Sequence, residues 1–433
     1  MMNWNVLPDL CAVALLTCAF ASTVRRSQAK TARLWLGGWL LVAAHFASSL
    51  FLHYPGIVGT AGLYTGTITL VIAGVIFQTA VIPYKEEPSR RWMTLLLAAM
   101  NTLYMILLIA GKSPAWQLNL AAALFAAGPL LITLSAIRRF NRKIRWATVI
   151  LNVSLAVFLL HFQNRPGIGS YLAFNAVLCT VFLGCSINFL FAYRRPTTGS
   201  VISIIGFFAW AAVFVLGPWL FYAYPAIHVE SEVWNLPKFI VAVGMILILL
   251  EGQIEHNRHL ALHDPLTGLP NRRLFEDRLS SALDRARRSG TQMALLIVDL
   301  NGFKKVNDSF GHHIGDLLLQ RAGAIFTGRV RRSDTVARTG GDEFSIVLEE
   351  PVSRTEAMHV SHALLELLGE PMLLGDDSLV RISASIGIAV YPEEAGDMES
   401  LCIAADRKMY EEKMKRSAES NPQKQPAAKP LTA

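Results

Sequence analysis

The feature that most constrains this chain is the succession of apolar segments in its first 250 residues. Nine stretches, at about 6–23, 34–52, 57–82, 92–110, 115–137, 147–163, 168–192, 201–221 and 237–250, are apolar over enough residues to span or nearly span a bilayer. With 53% hydrophobic residues and a mean hydropathy of +0.39, the chain is too apolar for an ordinary soluble protein. An all-α, polytopic membrane domain is therefore expected over 1–250. The charges divide sharply. Residues 1–250 hold 17 Lys and Arg against 5 Asp and Glu, and residues 251–433 hold 23 against 27. The basic excess thus belongs to the apolar half and gives no reason to expect a nucleic-acid partner.

Loop charges orient the segments. Loops after odd-numbered segments carry 14 basic residues: Arg25, Arg26, Lys30 and Arg33; Lys85, Arg90 and Arg91; Arg138, Arg139, Arg142, Lys143 and Arg145; Arg194 and Arg195. Loops after even-numbered ones carry three, Lys112, Arg165 and Lys238. Basic residues collect on the cytoplasmic side, which puts the N-terminus outside and the C-terminal half in the cytoplasm, with Lys238 snorkelling at the outer end of the last segment. An eight-span reading, with 237–250 lying in the interface, would put the C-terminal half on the other side. The first segment has no basic stretch before it and reads as an uncleaved span. Trp92, Trp116, Trp146, Trp219, Tyr222 and Trp234 read as interfacial anchors.

The membrane half names no signal. His45, His53 and His161 fall in or beside spans, where an ionisable residue is a functional candidate; packing and hydrogen bonding are the commoner roles. The outer loop from Tyr222 to Pro237, with His228, Glu230 and Glu232, could meet an external ligand, and plain topology accounts for it equally. Cys11, Cys18, Cys179, Cys185 and Cys402 suggest neither a disulfide framework nor a zinc site.

The chemistry lies in the second half. Arg338-Thr339-Gly340-Gly341-Asp342-Glu343-Phe344 runs two glycines into two carboxylates. The glycines permit positive φ, suited to the tight turn of a hairpin, and remove side chains that would hold a phosphate off the backbone. The carboxylates then sit at the tip, within reach of a hard cation. Upstream, the apolar run from Met293 ends in Asp299 and Leu300 and reads as a strand buried on both faces. Ligands collect at strand ends, so Asp299 is the natural partner of Asp342 across a metal, as phosphoryl transfer requires.

These residues resemble the GGDEF family of diguanylate cyclases. The resemblance rests on the 338–344 stretch and on Asp-Leu-Asn-Gly-Phe-Lys-Lys-Val-Asn-Asp-Ser-Phe-Gly-His-His-Ile-Gly-Asp at 299–316. It rests also on His263-Asp264-Pro265-Leu266-Thr267-Gly268-Leu269-Pro270-Asn271-Arg272-Arg273 and on Ala405-Asp406-Arg407-Lys408-Met409-Tyr410-Glu411-Glu412-Lys413. Four motifs stand in one order over about 262–416. The resemblance implies two GTP condensed to cyclic di-GMP and two pyrophosphates, with Mg²⁺ or alternatively Mn²⁺. Asp299, the Leu300 carbonyl and Asp342 would hold the metal. Asp342 would assist deprotonation of the ribose 3′-hydroxyl, Glu343 would complete the acidic cluster, and Lys304 would offset phosphate charge. Phe303 and Lys304 would offer backbone N–H groups, Asn307 and Asp316 would read guanine, His312 would lie near the nucleotide, and Lys413 would reach the triphosphate. Arg331 and Asp334 match the family's Arg-x-x-Asp inhibitory site, where product binds. The family usually has an Arg four residues beyond the position of Lys413; here it is Ser417, and Arg416 is adjacent.

A product with two symmetry-related phosphodiester bonds implies a homodimer. The expected organisation is a multi-pass sensory domain over 1–250, a connecting helix over 251–263 with a weak heptad stripe at Leu250, Ile254 and Ala261, a GGDEF domain over 264–416, and a disordered tail over 417–433. The cyclase domain is expected to be α+β, with a mostly antiparallel sheet like the palm of nucleotidyl cyclases. Helices are expected near 271–289, 303–310, 314–330, 353–368 and 398–416, and strands at 292–299, 335–338, 343–348 and 380–390. The protein would sit in the bacterial inner membrane with this domain in the cytoplasm. A domain that only binds nucleotide, or a transporter with a regulatory cyclase domain, are the other readings. Neither a Glu-Ala-Leu nor a His-Asp phosphodiesterase motif is found, and no such domain is expected after 416.

Overall fold

The computed structural model describes residues 3–26, 30–81, 88–110, 114–135, 142–163, 168–193, 195–226, 229, 231–349, 353–375 and 378–419. Lys85, Lys112, Arg138, Arg139, Arg165, Arg194, His228, Glu230 and the tail beyond 419 lie outside them. So do the side chains of Arg26, Lys30, Arg90, Arg91, Trp92, Arg142, Lys143, Arg145, Trp146 and Glu232. The chain divides into two compact units, Met1–Ile254 and Glu255–Ala433.

The first unit is helical: α1 (Leu7–Arg26), α2 (Lys30–Ser49), α3 (Ile57–Ala80), α4 (Pro88–Ala110), α5 (Ala115–Ser135), α6 (Arg142–Phe162), α7 (Gly169–Ala192), α8 (Thr198–Ala223) and α9 (Ser231–Leu262). A helix meets its backbone hydrogen bonds internally, which is what an apolar surrounding demands. Among the described residues, five helices are long and apolar enough to cross a membrane: Trp4–Arg25, Ile57–Ala80, Gly169–Ala192, Thr198–Ala223 and Val233–Leu262. Shorter apolar helices occupy Ala98–Ala110, Ala115–Ala127 and Val153–Phe162. These lengths are compatible with a membrane-spanning region. The connecting segment is the C-terminal continuation of α9.

Aromatic rings from α2, α3, α7 and α8 fill the core of this unit: Trp35, Trp39, Phe77, Phe182, Phe189, Phe207 and Trp210 are all buried. Phe182 and Trp210 stack at 3.9 Å between centroids. Helices α8 and α9 touch backbone to backbone. A Cβ on Gly244 would lie 2.6 Å from the Ser203 nitrogen, a close approach only glycine permits. Trp116, Trp219 and Tyr222 are exposed, as interfacial anchors would be, whereas Trp234 is half-buried. Lys238 departs from expectation. Its ammonium does not reach outward but is buried, bonded to Asn235 and facing the rings of Phe46 and Trp210. Polar and aromatic partners inside the unit hold the charge that snorkelling would have carried to water.

The second unit contains α10 (Arg272–Ser289), β1 (Met293–Asn301), α11 (Phe303–Phe310), α12 (His312–Arg329), β2 (Thr335–Arg338), β3 (Glu343–Leu348), α13 (Arg354–Gly369), β4 (Met372–Leu374), β5 (Ser378–Val380), β6 (Ser383–Tyr391) and α14 (Met398–Glu419). The main sheet has the order β2-β3-β1-β6, and every pairing is antiparallel, as expected. Alternation along β1 feeds two cores. Leu296, Val298 and Leu300 face one, built with Leu318, Phe326 and Leu364 of α12 and α13. Met293 and Leu295 face the other, with Phe275, Leu279, Leu401 and Ala405 of α10 and α14. Asn271 caps α10, its side chain accepting from the Leu274 N–H. The β4–β5 hairpin was not anticipated. It takes Val380, paired with Met372, out of the strand expected at 380–390, so β6 begins at Ser383.

Candidate active site

β1 delivers Asp299 to the end of the sheet, opposite Glu343 on β3 and Ser385 on β6. Asp299 is only 5% exposed. Its Oδ2 accepts from Lys413 Nζ of α14 at 2.8 Å, while its buried Oδ1 has no hydrogen-bond partner among the described residues. An unsatisfied carboxylate oxygen is costly to bury and fits a site built to receive a cation.

The hairpin between β2 and β3 brings in the second acid. The Glu343 carbonyl accepts from the Thr339 and Gly340 N–H groups, closing the turn. The Asp342 carbonyl accepts from the Leu300 N–H at 3.1 Å, which ties the turn to the end of β1. Asp299, Leu300, Asp342, Glu343 and Lys413 are thus brought to one end of the sheet. The glycines work differently from expectation. Neither Gly340 nor Gly341 has positive φ. A Cβ on Gly340 would meet Glu343 Oε2 at 2.6 Å, so a larger residue there would displace the Glu343 carboxylate, and Gly341 has open room around it. The turn is wide enough to form without left-handed residues.

Arg338 clamps the tip. Its Nε and Nη2 donate to the Gly341 carbonyl at 3.1 and 2.7 Å, and Nη1 donates to Asp264 Oδ1 at 3.0 Å. Asp264 also accepts from the Thr267 N–H and hydroxyl. Burial pushes the Asp264 carboxyl up, but the bonds from Thr267 and Arg338 outweigh it and hold it below the usual carboxylate value. Both residues stand in motifs to which the sequence alone assigns them no role. A basic residue before the turn and an acid in a separate motif are the signal that could have paired them. Ser385, fully buried opposite Asp299, was not singled out either; it exchanges hydrogen bonds with Asn301 and fixes the end of β1.

Phe303, Lys304, Asn307, His312 and Asp316 lie on α11 and α12. Gly302 adopts φ +79° and starts α11. Its carbonyl accepts from Lys305 and Val306, so the N–H groups of Phe303 and Lys304 precede the first helical bonds, the arrangement that suits an anion. Asn307 lies over Gly315, where a Cβ would come 1.9 Å from Asn307 Oδ1, a buried oxygen without a hydrogen-bond partner among the described residues. Asp316, one residue on, is exposed, as are Lys304 and His312. Arg331 and Asp334 form a turn before β2. Asp334 Oδ2 accepts from the Arg331 N–H at 2.8 Å and Oδ1 from the Glu349 N–H at 3.0 Å. This pair sits at the other end of β2 from the glycine turn, about 13 Å along the strand. Arg416 pairs with Glu412.

No group of three His, Cys, Asp or Glu side chains converges as a metal site among the described residues. A metal here would need main-chain oxygen and ligand phosphates beside the carboxylates, the mixed coordination Mg²⁺ favours.

Residues 261–419 match the family model described as "Diguanylate cyclase, GGDEF domain". The chain is 41% identical over 191 residues to the bifunctional diguanylate cyclase/cyclic di-GMP phosphodiesterase MucR of Pseudomonas aeruginosa, covering 40% of this chain and 27% of that one. It is 43% identical over 152 residues to the diguanylate cyclase TpbB of the same organism, covering 35% of each. The chain therefore spans about a quarter to a third of these curated relatives. Among solved structures, the GGDEF domain of TpbB aligns with 42% identity and a TM-score of 0.35, covering 35% of this chain and 89% of that one. The coiled coil and GGDEF domain of DgcB from Caulobacter crescentus, in complex with c-di-GMP, aligns with 25% identity and a TM-score of 0.39, covering 42% and 95%. The second unit is an α+β domain with an antiparallel sheet and an acidic strand end. Residues 261–419 are a GGDEF domain, preceded by a helical region with several apolar helices that fits a membrane sensor.

Proposed function

We propose that the chain is a membrane-bound diguanylate cyclase that condenses two GTP into cyclic di-GMP and two pyrophosphates. The observation that carries this reading is the buried, unpartnered Oδ1 of Asp299 at the strand end to which Asp342 is also tied. Asp299, the Leu300 carbonyl and Asp342 would hold Mg²⁺ or Mn²⁺. The metal would supply charge neutralisation at the phosphates and acidify the attacking hydroxyl.

The protein's own groups do the rest. The 3′-oxygen of one GTP attacks the α-phosphorus of the other, and pyrophosphate leaves. Asp342 takes the hydroxyl proton, and Glu343 keeps the tip acidic. Lys304 and the free N–H groups of Phe303 and Lys304 hold phosphate. Asp316 accepts from guanine N1–H and N2–H₂ beside Asn307, which selects guanine over adenine, and His312 flanks the nucleotide. Lys413 neutralises Asp299 until phosphate competes for its ammonium. Each domain holds one GTP, so two copies must face each other for the ring to close, and the working enzyme is a homodimer. Arg331 and Asp334 bind product and inhibit, Arg through guanine N7/O6 or phosphate and Asp through guanine N–H.

The basic loops support an orientation with the N-terminus outside and the cyclase domain in the cytoplasm of a bacterial inner membrane. The test is pyrophosphate release by the full chain in detergent with Mg²⁺, using GTP and ATP in parallel. Release from GTP at least about 100-fold faster than from ATP is expected from the hydrogen-bonded guanine edge. Equal rates, or none from GTP, would contradict the reading.

A further inference from the structure

In the first unit, Asp9 and Lys238 are the only charged side chains that are less than a tenth exposed among the described residues, at 4% and 8%. They come from the first helix, α1, and the last, α9. Asn235, 7% exposed, joins them: its Nδ2 donates to Asp9 Oδ2 at 2.6 Å, and its Oδ1 accepts from Lys238 Nζ. The ammonium also faces the rings of Phe46, 4.8 Å from the centroid, and Trp210, 5.8 Å away, which adds α2 and α8. His45 of α2 lies within electrostatic reach of Lys238, and its Nδ1 lies 2.8 Å from the Gly66 carbonyl of α3.

A charge inside a membrane-type core is costly, and its presence is a functional signal by default. A buried, bridged charge pair contributes little to stability compared with an apolar replacement. What it does is penalise every arrangement in which one partner loses the other. Here the penalised motion is displacement of α9 from α1. Pro237, inside α9 between Asn235 and Lys238, lacks the N–H that would continue the ladder, so the helix is locally compliant where the pair grips it. Beyond that grip, α9 runs on to Leu262, the last element before the cyclase domain.

We propose that Asp9, Asn235 and Lys238 form a charge latch between the first and last helices of the membrane unit, and that this latch sets the resting output of the cyclase domain. The proposal rests on the cyclase reading. The latch is a positioning device. Asn235 is the joint, because its amide has a donor end, Nδ2, toward the carboxylate and an acceptor end, Oδ1, toward the ammonium, which fixes the order carboxylate, amide, ammonium.

The test uses the full chain in lipid nanodiscs. It compares wild type with Asp9→Asn, Lys238→Met and Asn235→Leu, the last keeping both charges while cutting the bridge. Two quantities are read: the initial rate of cyclic di-GMP formation, and hydrogen exchange over residues 231–262 in the absence of GTP. Each variant is expected to shift the rate at least about fivefold in one common direction and to speed exchange in α9. Folding is judged by unchanged exchange in the strands of the cyclase domain. Folded variants with wild-type rate and wild-type exchange in α9 would overturn the latch. Altered exchange with an unaltered rate would overturn its control of output. Should the charge variants not fold, Asn235→Leu decides by the same criteria. A silent wild type would count against the cyclase reading, and the exchange measurement would still decide whether the bridge grips α9.

Discussion

Asp299 carries two demands at once, a salt bridge on one oxygen and an unsatisfied lone pair on the other. Lys413 is part-exposed, so the bridge contributes on the order of 1 kcal/mol or less. Lys413→Met is therefore expected to tighten Mn²⁺ binding to the nucleotide-free chain by up to about fivefold, while raising KM for GTP. Titration calorimetry and steady-state kinetics would check the two halves, and weaker Mn²⁺ binding would count against the competition. Arg338 is a second residue with a separable role. Asp264 has its folded pKa lowered, so its contribution is present above the unfolded value of about 3.9 and lost as pH falls through the folded value. Arg338→Met should cost about 1–3 kcal/mol near pH 7 and flatten the loss of stability in acid, read by urea unfolding across that range. An unchanged acid limb would mean that the clamp contributes nothing through Asp264.

At the scale of elements, the decisive contact is α14 on β6. A Cβ on Gly387 would lie 2.0 Å from the Ala405 carbonyl and 2.3 Å from the Met409 nitrogen, so glycine alone lets the helix seat. Because α14 also brings Lys413 to Asp299, Gly387→Ala should destabilise by about 1–3 kcal/mol and lower activity together. Gly396→Ala, with open space around it, should do neither. Thermal unfolding alongside the rate assay separates these outcomes. Much of this scale was readable from sequence: β1, the β2–β3 hairpin and the helices around them follow from apolar runs, Asn271 and the glycine turn. What could not be read were contacts between distant residues. Lys413 meets Asp299 114 positions away, and the inward turn of Lys238 depends on Asn235, which bonds Asp9 226 positions away. No local period records either. Glycine permits positive φ and also leaves room beside the backbone, and sequence does not say which of the two Gly340-Gly341 uses; neither adopts positive φ. The β4–β5 hairpin was missed because three-residue strands give no alternation to detect.

For the whole molecule, the charge division between halves and the motif order point to an apolar helical part followed by a GGDEF domain; the chain divides into two compact units, and residues 261–419 match the GGDEF family. The apolar helices predict that the full chain partitions with membranes after expression and is released by detergent but not by high salt, which would strip a chain held there by its basic residues alone. Fractionation checks this, and release by salt would contradict a spanning region. The central claim is that this chain makes cyclic di-GMP at the Asp299–Asp342 strand end. The most direct measurement is mass spectrometry of the products after the purified full chain meets Mg²⁺ and GTP, with wild type and Asp342→Ala in parallel. The account predicts cyclic di-GMP from wild type and at least about 100-fold less from Asp342→Ala. Equal product from both proteins would contradict it, as would a wild type that binds GTP as a dimer and forms no cyclic di-GMP.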